Sequence, residues 1–337
     1  MNLKKQQCLV TGGAGFIGSH LVDGLIASGC RVRVLDNLAN GKLKNFAGHQ
    51  AVKRFEFING SITDEPLLQS AMTGVQTVFH LACLGVRHSI VHPFENHRVN
   101  AEGTLMVLQA ARAAGVRRFV YCSSSEVYGN AQRVPMAETH PVRPHTVYGA
   151  SKLAGEAYAR AFYQTYGLPV VIVRPFNTYG PRSHHEGDAG EIIPKTIVRA
   201  MNGRDILIFG DGSQTRDFTY VEDIARALAL SAGADDLIGQ TLNVGSGTEI
   251  PIQSLARKIL ARMGNSAAKL VFTRDRPGDV RRLRADAQKF SRLCGWHPIV
   301  DLDRGLDRTI DFFRSHAVGL ANLMQGETWR NWEPRAH

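Results

Sequence analysis

Tyr148 and Lys152 stand four residues apart. On a helix that spacing puts both side chains on one face. An ammonium beside a phenol favours the phenolate and lowers its pKa. A phenolate can take the proton from a hydroxyl while a hydride leaves the same carbon. Upstream lies the run Ser123-Ser124-Ser125-Glu126, placed to follow a predicted strand. Ser124 can donate a hydrogen bond to the reacting oxygen, and Glu126 can act as a second acid or base. These four residues, Tyr148, Lys152, Ser124 and Glu126, are the candidate catalytic set; a serine-rich turn and an exposed loop glutamate are the plainer alternatives for the last two.

A hydride needs an acceptor, and the N-terminal stretch offers a place for one. Cys8 to Val10 reads as a buried strand, followed by Gly12, Gly15 and Gly18 in G-x-x-G-x-x-G spacing, and then by a helical apolar face of Phe16, Ile17, Leu21 and Leu25. Glycine permits the tight turn, the approach of backbone to a pyrophosphate, and close packing of helix on strand. The helix N-terminus faces the anion. Arg31–Leu35 is a second predicted strand, ending in Asp36, eighteen residues after Gly18. A carboxylate there accepts from a ribose 2′-hydroxyl and repels a 2′-phosphate, which points to NAD rather than NADP.

The elements that must position these groups alternate. Phe55–Ile58, Thr77–Leu81, Arg118–Cys122 and Val170–Val173 read as further strands, with helices over Glu65–Met72, Asn100–Ala114 and Tyr148–Tyr166, the last ended by Gly167 and Pro169. This succession predicts an α/β fold, a Rossmann-type doubly wound parallel sheet with ligands beyond the carboxyl ends of its strands. After Arg174 the pattern changes. Pro175–Gly190 is expected as a loop over the site, Glu191–Met201 and Val221–Ala232 as helices, Ile206–Phe209 and Thr241–Val244 as strands. The expected organisation is a dinucleotide-binding domain over 1–177 with segments about 217–245 returning to it. A smaller mixed α/β substrate lobe would take 178–216 and 246–315, followed by a tail over 316–337 that carries Trp329 and Trp332.

The 337 residues are 44% hydrophobic and 21% charged, ordinary for a soluble globular chain. No apolar run approaches the roughly 20 residues of a membrane span, and the first strand starts too early to leave room for a signal peptide. Five scattered cysteines, Cys8, Cys30, Cys83, Cys122 and Cys294, without a C-x-x-C, fit a reducing cytoplasm and no structural metal. The net charge of +10 is not gathered into lysine–arginine runs or interleaved with aromatics, so it fits a diphosphate ligand and general solvation better than nucleic acid.

Taken together, the chain resembles the extended short-chain dehydrogenases/reductases, in the nucleotide-sugar epimerase and dehydratase family. The resemblance runs from Thr11 to Trp296. It is carried by Thr11-Gly-Gly-Ala-Gly-Phe-Ile-Gly18, Asp36-Asn-Leu38, His80-Leu-Ala82, Asn100, Ser123-Ser-Ser-Glu-Val-Tyr-Gly129 and Tyr148-Gly-Ala-Ser-Lys152. Further along it is carried by Arg174-Pro-Phe-Asn-Thr-Tyr-Gly-Pro-Arg182, Arg216-Asp-Phe-Thr-Tyr-Val-Glu-Asp223 and Arg276-Pro-Gly-Asp279. It implies tightly held NAD, used and regenerated in one turnover, and a nucleotide-diphosphate sugar oxidised at C4, altered, and often reduced again. It implies cofactor contacts at Gly12, Gly15, Phe16, Ile17, Gly18, Asp36, Asn37, Asn40, Ser61, Ile62, Leu81, Ala82, Asn100, Tyr148 and Lys152. Substrate contacts are implied at Ser124, Ser125, Asn177, Arg216 and Arg276, where guanidinium forks suit phosphate oxygens. A homodimer through the Asn100 and Tyr148 helices is the family's usual assembly.

Two departures shape the functional expectation. The family often has Asp-Ile after its third strand, where this chain has Ser61-Ile62. At the Glu126 position, simple 4-epimerases usually carry a small or hydroxyl residue, whereas glutamate resembles dehydratases and glucuronate decarboxylases. A C4 ketone acidifies the C5 hydrogen, and a carboxylate can take it. Many dehydratases read Thr-Asp-Glu where this chain reads Ser124-Ser125-Glu126. The expectation is therefore a nucleotide-sugar dehydratase, then a 4-epimerase, then a decarboxylase, with an NAD-binding regulatory or scaffold protein as the non-enzyme alternative. His184, His185, Glu186 and Asp188 read as a substrate-covering loop rather than metal ligands. His88, His92 and His97 fit a sugar pocket or a surface equally, and Cys83 reads as a small buried filler.

Overall fold

The computed structural model describes residues 3–187, 189–264 and 268–315; Asp188 and the tail over 316–337, with Trp329 and Trp332, lie outside them. Its strands are β1 (Gln7–Thr11), β2 (Arg31–Asp36), β3 (Phe55–Asn59), β4 (Thr77–His80), β5 (Arg118–Cys122), β6 (Val170–Pro175), β7 (Asn177–Tyr179), β8 (Ile206–Phe209), β9 (Thr215–Tyr220), β10 (Thr241–Val244), β11 (Glu249–Pro251) and β12 (Leu270–Thr273). Seven of them form one sheet in the order β10-β6-β5-β4-β1-β2-β3, every pairing parallel. This is the predicted Rossmann-type architecture. The strand order reverses between β1 and β4, and a ligand crevice is expected beyond that point.

Side chains alternate across the sheet with the period of a strand. Cys8 and Val10 face one layer, where Leu21, Val22 and Leu25 of helix Phe16–Ala27 meet Ile224 and Leu228 of helix Val221–Gly233. Leu9 faces the other, packed with Val107 and Leu108 of helix Gly103–Ala113 and Phe162 of helix Val147–Tyr166. Strands covered on both faces carry the near-continuous apolar runs that made them readable.

The second core lies in the smaller lobe. Ile193 and Ile197 of helix Ile192–Met201, Leu255 and Ile259 of helix Ile252–Met263, and Leu306, Ile310 and Phe313 of helix Leu302–Ser315 enclose Ile206 and Ile208 of β8. β9 pairs with β7 in parallel and with β11 antiparallel, and β8 pairs with β12.

Three segments differ from expectation. β7 stands inside the stretch expected to be a loop; its three residues, Asn177–Tyr179, extend only because Phe218–Tyr220 pair with them. The helix expected to start at Asn100 begins earlier, as Pro93–His97, and passes through a π-helical turn, Arg98–Glu102. Phe290 and Trp296, in the stretch expected to serve the smaller lobe, pack in the large sheet's core, and the Trp296 indole donates to the Asp223 carbonyl at 3.1 Å.

Candidate functional site

The glycine turn shows why Gly12 and Gly18 are needed. Gly12 has φ of 70°, the left-handed region, and a Cβ there would stand 2.6 Å from the Ala82 nitrogen. A Cβ at Gly18 would stand 2.2 Å from the Gly12 carbonyl oxygen, so helix and turn touch backbone to backbone. At Gly15 the nearest atom would be 3.2 Å away. Gly15 is also the N-cap of helix Phe16–Ala27, and no side chain caps that terminus. Its first N–H groups are thus left to an anion in the cavity. Gly18→Ala should destabilise the fold by about 1–3 kcal/mol through overpacking against backbone; thermal unfolding would show it as a lowered Tm, and an unchanged Tm would contradict the close contact.

Asp36 closes the cavity's far edge at the end of β2. Its carboxylate accepts from the Ala14 N–H at 2.9 Å and the Leu38 N–H at 2.8 Å. Burial raises this carboxyl above the usual range, and the two N–H bonds pull it back. Each oxygen keeps a lone pair for a ribose hydroxyl. Asp36→Ala should narrow the preference for NAD over NADP by about tenfold or more, since one charge–charge repulsion of about 1.4 kcal/mol is removed. Paired binding titrations of the two dinucleotides check this, and a parent protein that already binds both equally would refute it.

From this turn a cavity of about 470 Å³ runs across the carboxyl ends of β1, β4 and β5 into the smaller lobe. Its lining includes Gly12, Gly15, Phe16, Ile17, Gly18, Asp36, Asn37, Asn40, Ser61, Ile62, Leu81 and Ala82, and then Ser124, Ser125, Glu126, Tyr148, Lys152, Asn177, Arg216 and Arg276. Asn100 is not brought to it. That amide is buried, accepting from the Leu84 N–H at 2.8 Å and donating to the Leu84 carbonyl at 2.9 Å and to Asn96 at 3.0 Å. The π-helical turn aims Asn100 at the loop after β4, where it shapes the cavity wall from behind. Ser61 does line the cavity, in the place where the family often has aspartate.

Helix Val147–Tyr166 opens with Thr146, whose hydroxyl caps the Gly149 N–H at 3.1 Å. Its first turn presses on the neighbouring segment so tightly that a Cβ at Gly149 would lie 2.7 Å from the Glu126 carbonyl oxygen. That contact packs the start of the helix bearing Tyr148 and Lys152 against the Ser124–Glu126 segment. The Lys152 ammonium donates to the Cys122 carbonyl at 2.8 Å and lies 6.0 Å from the Tyr148 ring centroid. Ser124 faces the Tyr148 phenol and favours its ionised form. Burial pushes that phenol above its ordinary value and Cys83 adds to the push; Lys152 and Ser124 act in the opposite direction without overcoming it. The expected lowering by lysine is present as a contribution, but among the protein's own groups desolvation outweighs it.

Beyond Tyr148 the lining becomes charged. Burial raises the Glu126 carboxyl, and Arg216, Arg276 and Arg87 pull it down. Arg216 and Arg276 each donate to one oxygen of Asp279, at 2.5 and 2.6 Å. The Asn177 side-chain oxygen is buried in the wall with no partner among the described residues. Sequence reading missed Arg87, Glu191 and an apolar end formed by Leu207, Phe209, Phe218 and Ile252. Periodicity marks such apolar residues as core and does not tell a pocket wall from a packed interior. Cys83 also lines the cavity rather than filling a core.

The histidines resolve into distinct places. His184 lines the cavity, edge-on to Phe16 with centroids 6.5 Å apart. His185 is buried against Phe313 at 5.5 Å, and Glu186 pairs with Lys42 at 2.5 Å. Among the described residues no group of three His, Cys, Asp or Glu could hold a metal ion. His88 reaches Glu95 at 3.4 Å and His97 is half exposed. Neither they nor His92 line the cavity.

Comparison with known proteins agrees with this geometry. A family described as GDP-mannose 4,6 dehydratase matches residues 9–309. The chain is 38% identical over 315 residues to a UDP-glucose 4-epimerase of Mycolicibacterium smegmatis, covering 91% of this chain and 98% of that one. It is 37% identical over 317 residues to a dTDP-glucose 4,6-dehydratase of an Actinoplanes strain, again 91% and 98%. The solved structure of DesIV, a dTDP-glucose 4,6-dehydratase from Streptomyces venezuelae with NAD and TYD bound, superposes with a TM-score of 0.88 at 34% identity, covering 94% of this chain and all of that one. The chain belongs to the extended short-chain dehydrogenases/reductases that modify nucleotide sugars with NAD, and it is an enzyme of that family.

Proposed function

We propose that this enzyme is a nucleotide-sugar 4,6-dehydratase, working through a 4-keto sugar. The observation that carries this reading is Glu126, a carboxylate in the same cavity as Tyr148, two residues after Ser124 and facing Arg216 and Arg276. The glycine cradle, the uncapped helix N-terminus and the Asp36 carboxylate fit NAD. Bound there, NAD supplies a reversible hydride acceptor. Tyr148 takes the proton of the C4 hydroxyl, Ser124 donates to the same oxygen, and Lys152 holds the phenolate form in place. Glu126 then takes the acidified C5 proton, the C6 hydroxyl departs as water with that proton, and the resulting 4-keto-5,6-ene takes the hydride back at C6 and a solvent proton at C5, which leaves a 4-keto-6-deoxy sugar and restores the oxidised cofactor. Arg216, Arg276 and the Asn177 amide hold the diphosphate and sugar. Leu105, Val147 and Tyr166, exposed on the two packed helices Gly103–Ala113 and Val147–Tyr166, support the family's homodimer.

A second reading is 4-epimerisation, favoured by Ser125 in place of an acidic residue and by the resemblance to the M. smegmatis epimerase. It needs only Tyr148, Lys152, Ser124 and a ketone that turns within the cavity. Mass spectrometry after incubating NAD-loaded protein with dTDP-glucose, UDP-glucose, GDP-mannose and UDP-glucuronate separates the readings. Loss of water supports dehydration, an unchanged mass with a new retention time means epimerisation, and loss of carbon dioxide means decarboxylation.

A further inference from the structure

Behind the candidate catalytic groups lies a buried ion pair that the chemistry above does not use. Glu156 is 0% and Arg174 4% exposed. The guanidinium meets both carboxylate oxygens, Nε to Oε1 at 2.7 Å and Nη2 to Oε2 at 2.6 Å. Glu156 lies on the helix that carries Tyr148 and Lys152, at successive four-residue steps along one face. Glu156 Oε2 also accepts from Arg160 Nη1 at 3.2 Å, and the pair reaches the segment near the candidate catalytic groups twice. The Ser123 hydroxyl donates to Glu156 Oε1 at 2.6 Å, and Arg174 Nη1 donates to the Tyr128 hydroxyl at 2.8 Å. Tyr128 in turn donates to Asn243 at 2.7 Å, which ties it to the end of the sheet.

Ser123 and Tyr128 bracket one short segment. Between them Ser124 caps the turn Ser125–Val127 by accepting from the Glu126 N–H at 3.1 Å. We propose that Glu156 and Arg174 form a clamp of positioning residues. It grips both ends of the Ser124–Glu126 segment and fixes it against the helix bearing Tyr148, setting the distance between the hydroxyl, the carboxylate and the phenol. A charged pair out of water needs several satisfied hydrogen bonds to persist, and here two of those bonds go to the residues flanking the reactive segment. The inference rests on the roles proposed above for Ser124, Glu126 and Tyr148.

Removing Glu156 would strand the buried Arg174 charge, and removing Arg174 would leave Glu156 with only the part-exposed Arg160 as counter-charge; either could prevent folding, so the test cuts the clamp's outer bonds. Ser123→Ala, Tyr128→Phe and the double variant are compared with wild type for Tm, NAD affinity, and kcat and KM against pH with dTDP-glucose and UDP-glucose. Misplacing a reacting group by about 1 Å can cost on the order of 100-fold. The double variant should lose about tenfold or more in kcat with KM and NAD affinity within about twofold. The limb of the pH profile that reports Tyr148 should also move to higher pH, because its Ser124 contact loosens while Lys152, Cys83 and Cys122 still face it. An unchanged kcat, or a loss matched by lost folded protein with an unmoved limb, overturns the clamp. If wild type turns over neither sugar, the proposed function fails separately. The clamp is then read from ultraviolet titration of the Tyr148 phenol, each NAD-loaded protein measured against its own Tyr148→Phe counterpart. A higher titration midpoint in the double variant supports the clamp and coincident curves overturn it.

Discussion

Tyr148→Phe should lower kcat by about three orders of magnitude, within the 10²–10⁴-fold range of a lost acid–base group, while NAD binding and Tm stay near wild type. The ring keeps its packing and only the proton-transferring oxygen is lost. The pH dependence has a fixed sign. Burial raises the phenol's pKa, so at lower pH the active phenolate is scarce and kcat should climb with pH, about tenfold per unit below the pKa. Lys152→Met should shift that climb to higher pH, because the ammonium favours the phenolate. Steady-state kinetics across pH check both. A Tyr148→Phe enzyme within tenfold of wild type would remove the phenol from the mechanism.

Glu126→Gln should have the second-largest effect, and a selective one. The amide keeps the size of the side chain and loses the basic oxygen. Under the dehydration reading, C4 oxidation survives, seen as near-ultraviolet absorbance of reduced nicotinamide on adding substrate, while release of the dehydrated product falls by about 10²–10⁴-fold. The charge balance also changes, since Glu126 sits among Arg216, Arg276 and Arg87, so tighter binding of the diphosphate is expected alongside. Undiminished product release would reduce Glu126 to a positioning role and favour epimerisation.

The parts of this site that sequence made legible are those where backbone geometry or local periodicity dictates the residue type. Gly12 and Gly18 are forced by contacts of 2.6 and 2.2 Å that no side chain could occupy. Tyr148 and Lys152 share a helix face by counting. Asp36 ends a strand in which arginine and valine alternate before Leu35. Asn100 was misplaced because its aim depends on a π-helical turn, which leaves no period in the sequence. β7 was missed because three residues carry too little pattern, and partner strand β9 supplies the reason for their extension. Arg87, Glu191 and the apolar end of the cavity come from segments far apart in the chain, brought together only by packing of the two lobes. The Glu156–Arg174 clamp belongs to the same class, since each member reads alone as an ordinary helical or strand-end charge.

Incubation of the NAD-loaded enzyme with dTDP-glucose in deuterium oxide reports proton abstraction at C5 of a 4-keto sugar. Mass spectrometry of the product should show loss of one water and gain of one carbon-bound deuterium at C5, and both should disappear in Glu126→Gln. A nucleotide sugar that returns with its mass unchanged and no carbon-bound deuterium, at a new retention time, would contradict C5 chemistry and leave a 4-epimerase.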